Sequence, residues 1–259
     1  MDPSVSKKMF LVLLVACVLS VVALLPYTLT IQGEIIALIP IPLHILLPLQ
    51  ILQNAILFTI FIFVGLRLSQ RVGLRIPILE TWLSGESKDV EYSNQVVLAL
   101  LSGTAAGFLI LISDIAFASL IGDIELHKPY PGQPTPPLWQ TLLGLPYGAI
   151  AEEVALRLFA MSAFAWLFQR FRTDSTGNPT DSGMWLAVII SAILFGASHL
   201  PSILFFADLS LLHSLRIISL NAIGGIVFGW LYWRRGLEYA MISHFGMDIV
   251  LHVLLPPFL

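Results

Sequence analysis

The chain has 259 residues, 57% of them hydrophobic and 11% charged, with a mean hydropathy of +0.89. Soluble domains carry about a quarter charged residues, and no soluble fold of this size hides so much apolar surface, so a soluble enzyme and a disordered chain are excluded. The 13 basic and 16 acidic residues sum to −3 with no basic stripe, which excludes a nucleic-acid partner. The single cysteine, Cys17, allows no intrachain disulfide.

The composition predicts an all-α, polytopic transmembrane bundle forming one integral membrane domain over 1–259. A spanning helix needs about 20 apolar residues. In chain order such runs are Phe10–Leu29, Leu49–Leu66, Gln95–Ile121, Leu138–Phe168, Met184–Phe205, Leu211–Trp233 and Tyr239–Leu255. An eighth stretch, Ile35–Pro48, holds Pro40, Pro42 and Pro48 and is too short and broken for a standard span, so it is re-entrant or extends the second helix. The first run follows Lys7 and Lys8 but is long for a signal sequence and lacks a small-x-small cleavage site, so it reads as a retained span.

Arg67–Asn94 is the longest connection, with a short amphipathic helix expected around Ile78–Leu83. His127–Pro137 is a proline-rich extended linker and Arg172–Gly183 a turn-rich loop. With a cytoplasmic N-terminus, the inside loops hold Arg67, Arg71, Arg75, Lys88, Arg170, Arg172, Arg234 and Arg235. The outside holds little beyond Lys128, with Arg216 just within the sixth span. That asymmetry predicts seven spans and a plasma-membrane protein with its N-terminus inside.

Ionisable residues within spans cost several kcal/mol and mark function by default. The fourth span carries Glu152 and Glu153 followed by Arg157. Glu153 and Arg157 stand at i, i+4, the favourable order for an ion pair, and a structural salt bridge is the plain reading of both. Glu152 lacks such a partner in its own helix. The fifth span ends Phe195-Gly-Ala-Ser-His199, and the seventh carries His244-Phe-Gly-Met-Asp248, again with i, i+4 faces. At a rise of about 1.5 Å per residue, Glu152 lies about 21 Å from Leu138 and His199 about 22 Å from Met184, so Glu152, His199, His244 and Asp248 can meet in one cavity. A lone membrane histidine is more simply an interhelical hydrogen bond; four such groups on three helices make that account weaker. Asp114 either lines the cavity or marks a helix end, and Asn221, before Gly224 and Gly225, reads as packing or an interhelical bond. His44, His127, His213 and His252 sit near loops or span ends and carry no assigned chemistry, while Trp139, Trp230 and Trp233 read as interface anchors.

A carboxylate and an imidazole beside one water suit hydrolysis. Glu152 with His199 would deprotonate the water, and His244 with Asp248 would face the oxyanion. The same Glu152, His199, His244 and Asp248 also suit a divalent metal such as zinc, although no His-Glu-x-x-His pattern is present. A metal-free site is the favoured expectation, with no cofactor required.

The ordered motifs Glu152-Glu153-x-x-x-Arg157, Phe195-x-x-x-His199 and His244-x-x-x-Asp248 resemble the CAAX protease and bacteriocin-processing family, which is similar to the Ras-converting CAAX endopeptidase. The glycine-rich stretch from Asn221 to Tyr232, followed by Arg234-Arg235-Gly236, fits the same pattern, and the resemblance covers about 146–250. It implies a multi-helix intramembrane endopeptidase acting on a membrane-associated peptide or lipidated protein. Glu152 and His199 would activate water, His244 and Asp248 would stabilise the oxyanion, and Glu153, Arg157 and Asn221 would support the site. Asp248 stands where the family often has Asn, and Leu158 where it often has Gly. A non-catalytic scaffold or immunity-type protein and a proton-coupled transporter are the competing classes; no internal repeat supports the transporter.

Overall fold

The computed structural model describes residues 3–85, 92–121, 134–201 and 210–254. The readings placed on Lys88, on Phe205 and on 127–133 (His127 and Lys128 among them) lie outside these residues. Among the described residues there are nine α-helices: α1 (Pro3–Ala37), α2 (Leu43–Arg71), α3 (Pro77–Ser84), α4 (Tyr92–Ile121), α5 (Leu138–Pro146), α6 (Ser162–Gln169), α7 (Asp181–Ser198), α8 (Leu211–Arg234) and α9 (Leu237–Asp248). Three π-helical segments, Tyr147–Glu152, Val154–Met161 and Ile249–Leu254, complete the set. An isolated bridge between Thr173 and Pro179 is the sole β-type pairing among the described residues.

The chain is an integral membrane helical bundle. Five helices, Ser4–Ala37, Leu43–Arg71, Ser93–Ile121, Asp181–Ser198 and Leu211–Arg234, are long and apolar enough to cross a bilayer. Two composite rods, 138–169 and 237–254, run unbroken through their π-helical segments and occupy the places of the expected fourth and seventh spans. The stretch Ile35–Pro48 forms no span of its own. Its first three residues close α1, its last six open α2, and the Pro-rich turn between them reverses the chain. The expected amphipathic segment is α3, with Pro77 in its first turn and Trp82 exposed.

One end of the bundle gathers the start of α1, the end of α2, α3, the end of α6 and the junction of α8 with α9. Gln169 Nε2 donates to the Arg71 carbonyl at 3.1 Å, Leu237 N donates to the Arg75 carbonyl at 3.1 Å, and Arg234 pairs with Asp181 at 3.8 Å. Ile76 cannot cap α3 with its side chain, so Glu238 of α9 does, accepting from Leu79 N at 2.8 Å. Burial pushes the Glu238 carboxyl up to about 7 against that bond. A recess of about 310 Å³ lies at the same end, lined in part by Met9, Ser69, Arg75 and Glu80, and none of the candidate site residues lines it.

At the heart of the bundle α8 packs against α4, α7 and α9, and α4 packs along α9. Without a hydrophobic drive between helices in lipid, small residues permit these approaches. A side chain at Gly103 of α4 would run into the Ser243 carbonyl of α9, and one at Gly196 of α7 into the Ile218 backbone of α8.

Candidate active site

The fourth rod departs from the regular α-helix that the sequence suggests. Pro146 has no N–H to donate and its ring crowds the carbonyl four residues back. The backbone widens at once into i→i+5 pairing over Tyr147–Glu152, and again over Val154–Met161. Glu152, Glu153 and Arg157 therefore sit on or between wide turns. Glu153 and Arg157 are fully buried, whereas Glu152 keeps 24% of its side chain accessible.

His244 of α9 is where the acidic groups converge. Its Nδ1 donates to Glu153 Oε1 at 2.9 Å. Its Nε2 lies 3.9 Å from Glu152 Oε2 and 3.6 Å from Asp248 Oδ1. Three carboxylates from two rods thus surround one buried imidazole. Asp248 remains 10% accessible, so the Nε2 edge, and not the Nδ1 edge, faces the accessible side of the cluster.

Glu153 also pairs with Arg157 Nε at 3.3 Å, out of line for a hydrogen bond, and Arg157 Nη2 donates to the Gly225 carbonyl of α8 at 3.3 Å. The guanidinium is wrapped by aromatic faces, 4.8 Å from the Phe195 ring centre and 5.3 Å from that of Phe228. Phe228 in turn stacks on His244 at 4.5 Å and 17°. The ring plane of His244 is therefore set by α8, its Nδ1 partner by the fourth rod, and its charge environment by that rod together with its own helix.

His199 caps the C-terminus of α7. Its Nδ1 donates to the Phe195 carbonyl at 2.8 Å, which makes Nε2 the basic nitrogen of the neutral ring. The Phe195 ring lies edge-on to both imidazoles, 4.9 Å from His199 and 5.5 Å from His244. Ser198 also gives its hydroxyl to the Phe195 carbonyl, at 2.7 Å, and so is no nucleophile beside a base.

The structure thus brings Glu152, Glu153, Arg157, His244 and Asp248 into one cluster, with His199 one phenyl ring away. Glu152 meets His244, a different histidine from the His199 with which its sequence role was paired. Asn221 donates to the Ile217 carbonyl of its own helix at 2.9 Å and sits on the α8 face that carries Phe228 seven residues on. Asp114 pairs with Arg216 at 2.6 Å, joining α4 to α8.

Sequence reasoning passed over three neighbours. Phe228 is one apolar residue among many in an apolar helix. Gly148 looks like any small residue, yet a Cβ there would stand 2.7 Å from Asp248 Oδ2 and 3.2 Å from His244 Nε2. His252 Nε2 lies 3.9 Å from Asp248 Oδ1, and its i, i+4 spacing was the available signal. As for a metal, no three His, Cys, Asp or Glu side chains among the described residues are grouped to hold one. His244 spends Nδ1 on Glu153, which leaves only its Nε2 edge open to any further partner.

Residues 134–250 match the family model of the type II CAAX prenyl endopeptidases, Rce1-like. The chain carries an Rce1-like CAAX protease domain. The match spans every member of the cluster, from Gly148 to Asp248, and leaves out α1 to α4. No curated protein and no solved structure matches the chain. Over residues 134–250 the chain is similar to membrane-embedded proteases, which are hydrolases.

Proposed function

We propose that this protein is an intramembrane endopeptidase that hydrolyses a peptide bond near a lipidated C-terminus, with Glu152 as the base that activates water. The observation that carries this reading is the contrast between neighbouring acids. Glu153 is sealed and committed to His244 and Arg157, while Glu152 stays accessible and reaches the Nε2 edge of the same imidazole.

In this reading Glu152 takes a proton from a water held at that edge, and the oxygen attacks the scissile carbonyl. With Nδ1–H committed to Glu153, a second N–H at His244 Nε2 donates to the oxyanion. Asp248, 3.6 Å away, balances the charge on the ring. The tetrahedral intermediate collapses as the C–N bond breaks, and the leaving amine takes up a proton delivered through His199 or Glu152. The groups are carried on packed helices instead of loops, which fixes their geometry before substrate arrives. The reaction is proposed to be metal-free.

The proposed setting is the plasma membrane with the N-terminus cytoplasmic. Support comes from the basic residues Arg71, Arg75, Arg170, Arg234 and Arg235, which all belong to the helix ends and turns gathered at the bundle end where α1 starts.

The test uses purified full-length protein and a quenched-fluorescent farnesylated peptide ending in Cys-a-a-X. Glu152→Ala is expected to abolish cleavage while the protein stays folded, and 1,10-phenanthroline is expected to leave wild-type turnover unchanged. Wild-type turnover by Glu152→Ala refutes the base assignment, and loss of activity with the chelator refutes the metal-free route.

A further inference from the structure

The glycines of the bundle divide by what their missing side chains leave room for. Gly103 and Gly196 meet the backbones of Ser243 and Ile218, and Gly225 meets Ala192, so these three set helix crossings. Gly148 differs. The nearest atoms to its absent Cβ are Asp248 Oδ2 at 2.7 Å, His244 Nε2 at 3.2 Å and His244 Cε1 at 3.6 Å, all from two ionisable side chains. No other described glycine has only ionisable side chains as its nearest neighbours.

We propose that Gly148 is a positioning residue of the active site, its bare backbone forming the wall that seats the Asp248 carboxylate against the Nε2 edge of His244. The proposal rests on the reading of His244 and Asp248 as catalytic groups. Gly148 lies in the first π-helical segment, four residues before Glu152, so the widened turns that carry Glu152 also bring this wall to α9. Glycine is needed for contact and not for backbone freedom, since its φ lies outside the left-handed region. A methyl group here would strike the soft end of a two-torsion side chain. The carboxylate would swing away from His244 while both helices stay in place.

Two experiments test this with the full-length protein in detergent. In the farnesylated-peptide assay, Gly148→Ala is expected to lower kcat roughly 100-fold, the scale of a displacement of about 1 Å at a reacting centre, with KM changed less than about threefold. Gly144→Ala is the control, because a Cβ at Gly144 meets only Leu24 at 3.3 Å and Tyr27 at 4.0 Å, and it is expected to keep wild-type kcat. The second experiment needs no substrate. Adding Gly148→Ala to Asp248→Ala is expected to raise the melting temperature relative to adding it to wild type, because the displaced carboxylate is then gone. Wild-type kcat in Gly148→Ala, or equal kcat loss in Gly144→Ala, or additive melting shifts overturn the proposal. Loss of the proposed function itself reads out separately, as active Glu152→Ala or a wild type silent on the peptide. In that event the melting cycle still decides whether Gly148 seats Asp248.

Discussion

His244 is held at one nitrogen by a carboxylate that solvent does not reach: Nδ1 donates to Glu153 Oε1 at 2.9 Å, and Glu153 is fully buried. The same carboxylate balances Arg157, also fully buried. Removing one member strands a charge in the bundle core, which costs about 3–5 kcal/mol. Arg157→Ala and Glu153→Ala are each expected to lose that much stability. The pair Glu153→Met with Arg157→Leu is expected to recover most of it but no activity, because Nδ1 then lacks its acceptor. Thermal melts and peptide cleavage on the three variants check this; a double variant as unstable as the singles overturns it.

Phe228 fixes the plane of His244 by stacking at 4.5 Å. Phe228→Leu keeps an apolar side chain but removes the ring face, worth about 1 kcal/mol beyond its buried area. Turnover is expected to fall about tenfold, because an imidazole free to tilt spends less time aimed at the oxyanion. Unchanged kcat would show that Glu153 alone suffices to orient the ring.

Gly103 and Gly33 make a contrasting pair. A side chain at Gly103 meets the Ser243 carbonyl, which is backbone and does not yield, whereas the space around Gly33 is open. Gly103→Ala is expected to destabilise by about 3 kcal/mol or more, by forcing α4 from the helix that carries His244. Gly33→Ala is expected to stabilise by about 0.5–1 kcal/mol through backbone entropy. Melting temperatures of both variants check the prediction.

Glu238, just outside the seventh span, gives stability a pH dependence. Burial disfavours the charged form and pushes its folded-state carboxyl up to about 7, from an ordinary carboxylate value of 4.5. A raised folded pKa means that the contribution is fully present below about 4.5 and is lost as pH rises through about 7, amounting to roughly 3 kcal/mol at most. Glu238→Gln keeps an acceptor for Leu79 N–H and is expected to flatten that slope. Melts from pH 5 to 8.5 on both proteins decide it; an unchanged slope in Glu238→Gln would place the titration elsewhere.

Much of this was legible before folding. Apolar run lengths located the five helices long enough to cross a bilayer and the two composite rods beside them, because a crossing needs about 20 consecutive apolar residues. Spacing alone paired Glu153 with Arg157 and set Asp248 beside His244, because i, i+4 neighbours share a helix face. The π-helical widening after Pro146 was not legible, since the pattern of side chains says little about which carbonyl an N–H will find. Nor was the partner of Glu152, because azimuths counted at 100° per residue fail once the turns widen. The pairing of Asp114 with Arg216, 102 residues apart, required knowing that α4 packs on α8.

By itself, the sequence determined that this chain is an all-α membrane bundle and which long apolar runs become its helices, because burial of backbone polarity and of charge in hydrocarbon is decided locally, residue by residue. Only the tertiary structure decided which of two adjacent glutamates is sealed and which stays accessible, which ring faces His244, and which side chains crowd the bare Cα of residue 148. Those are properties of helix azimuth and crossing distance, set by many weak contacts acting together and carried by no single motif.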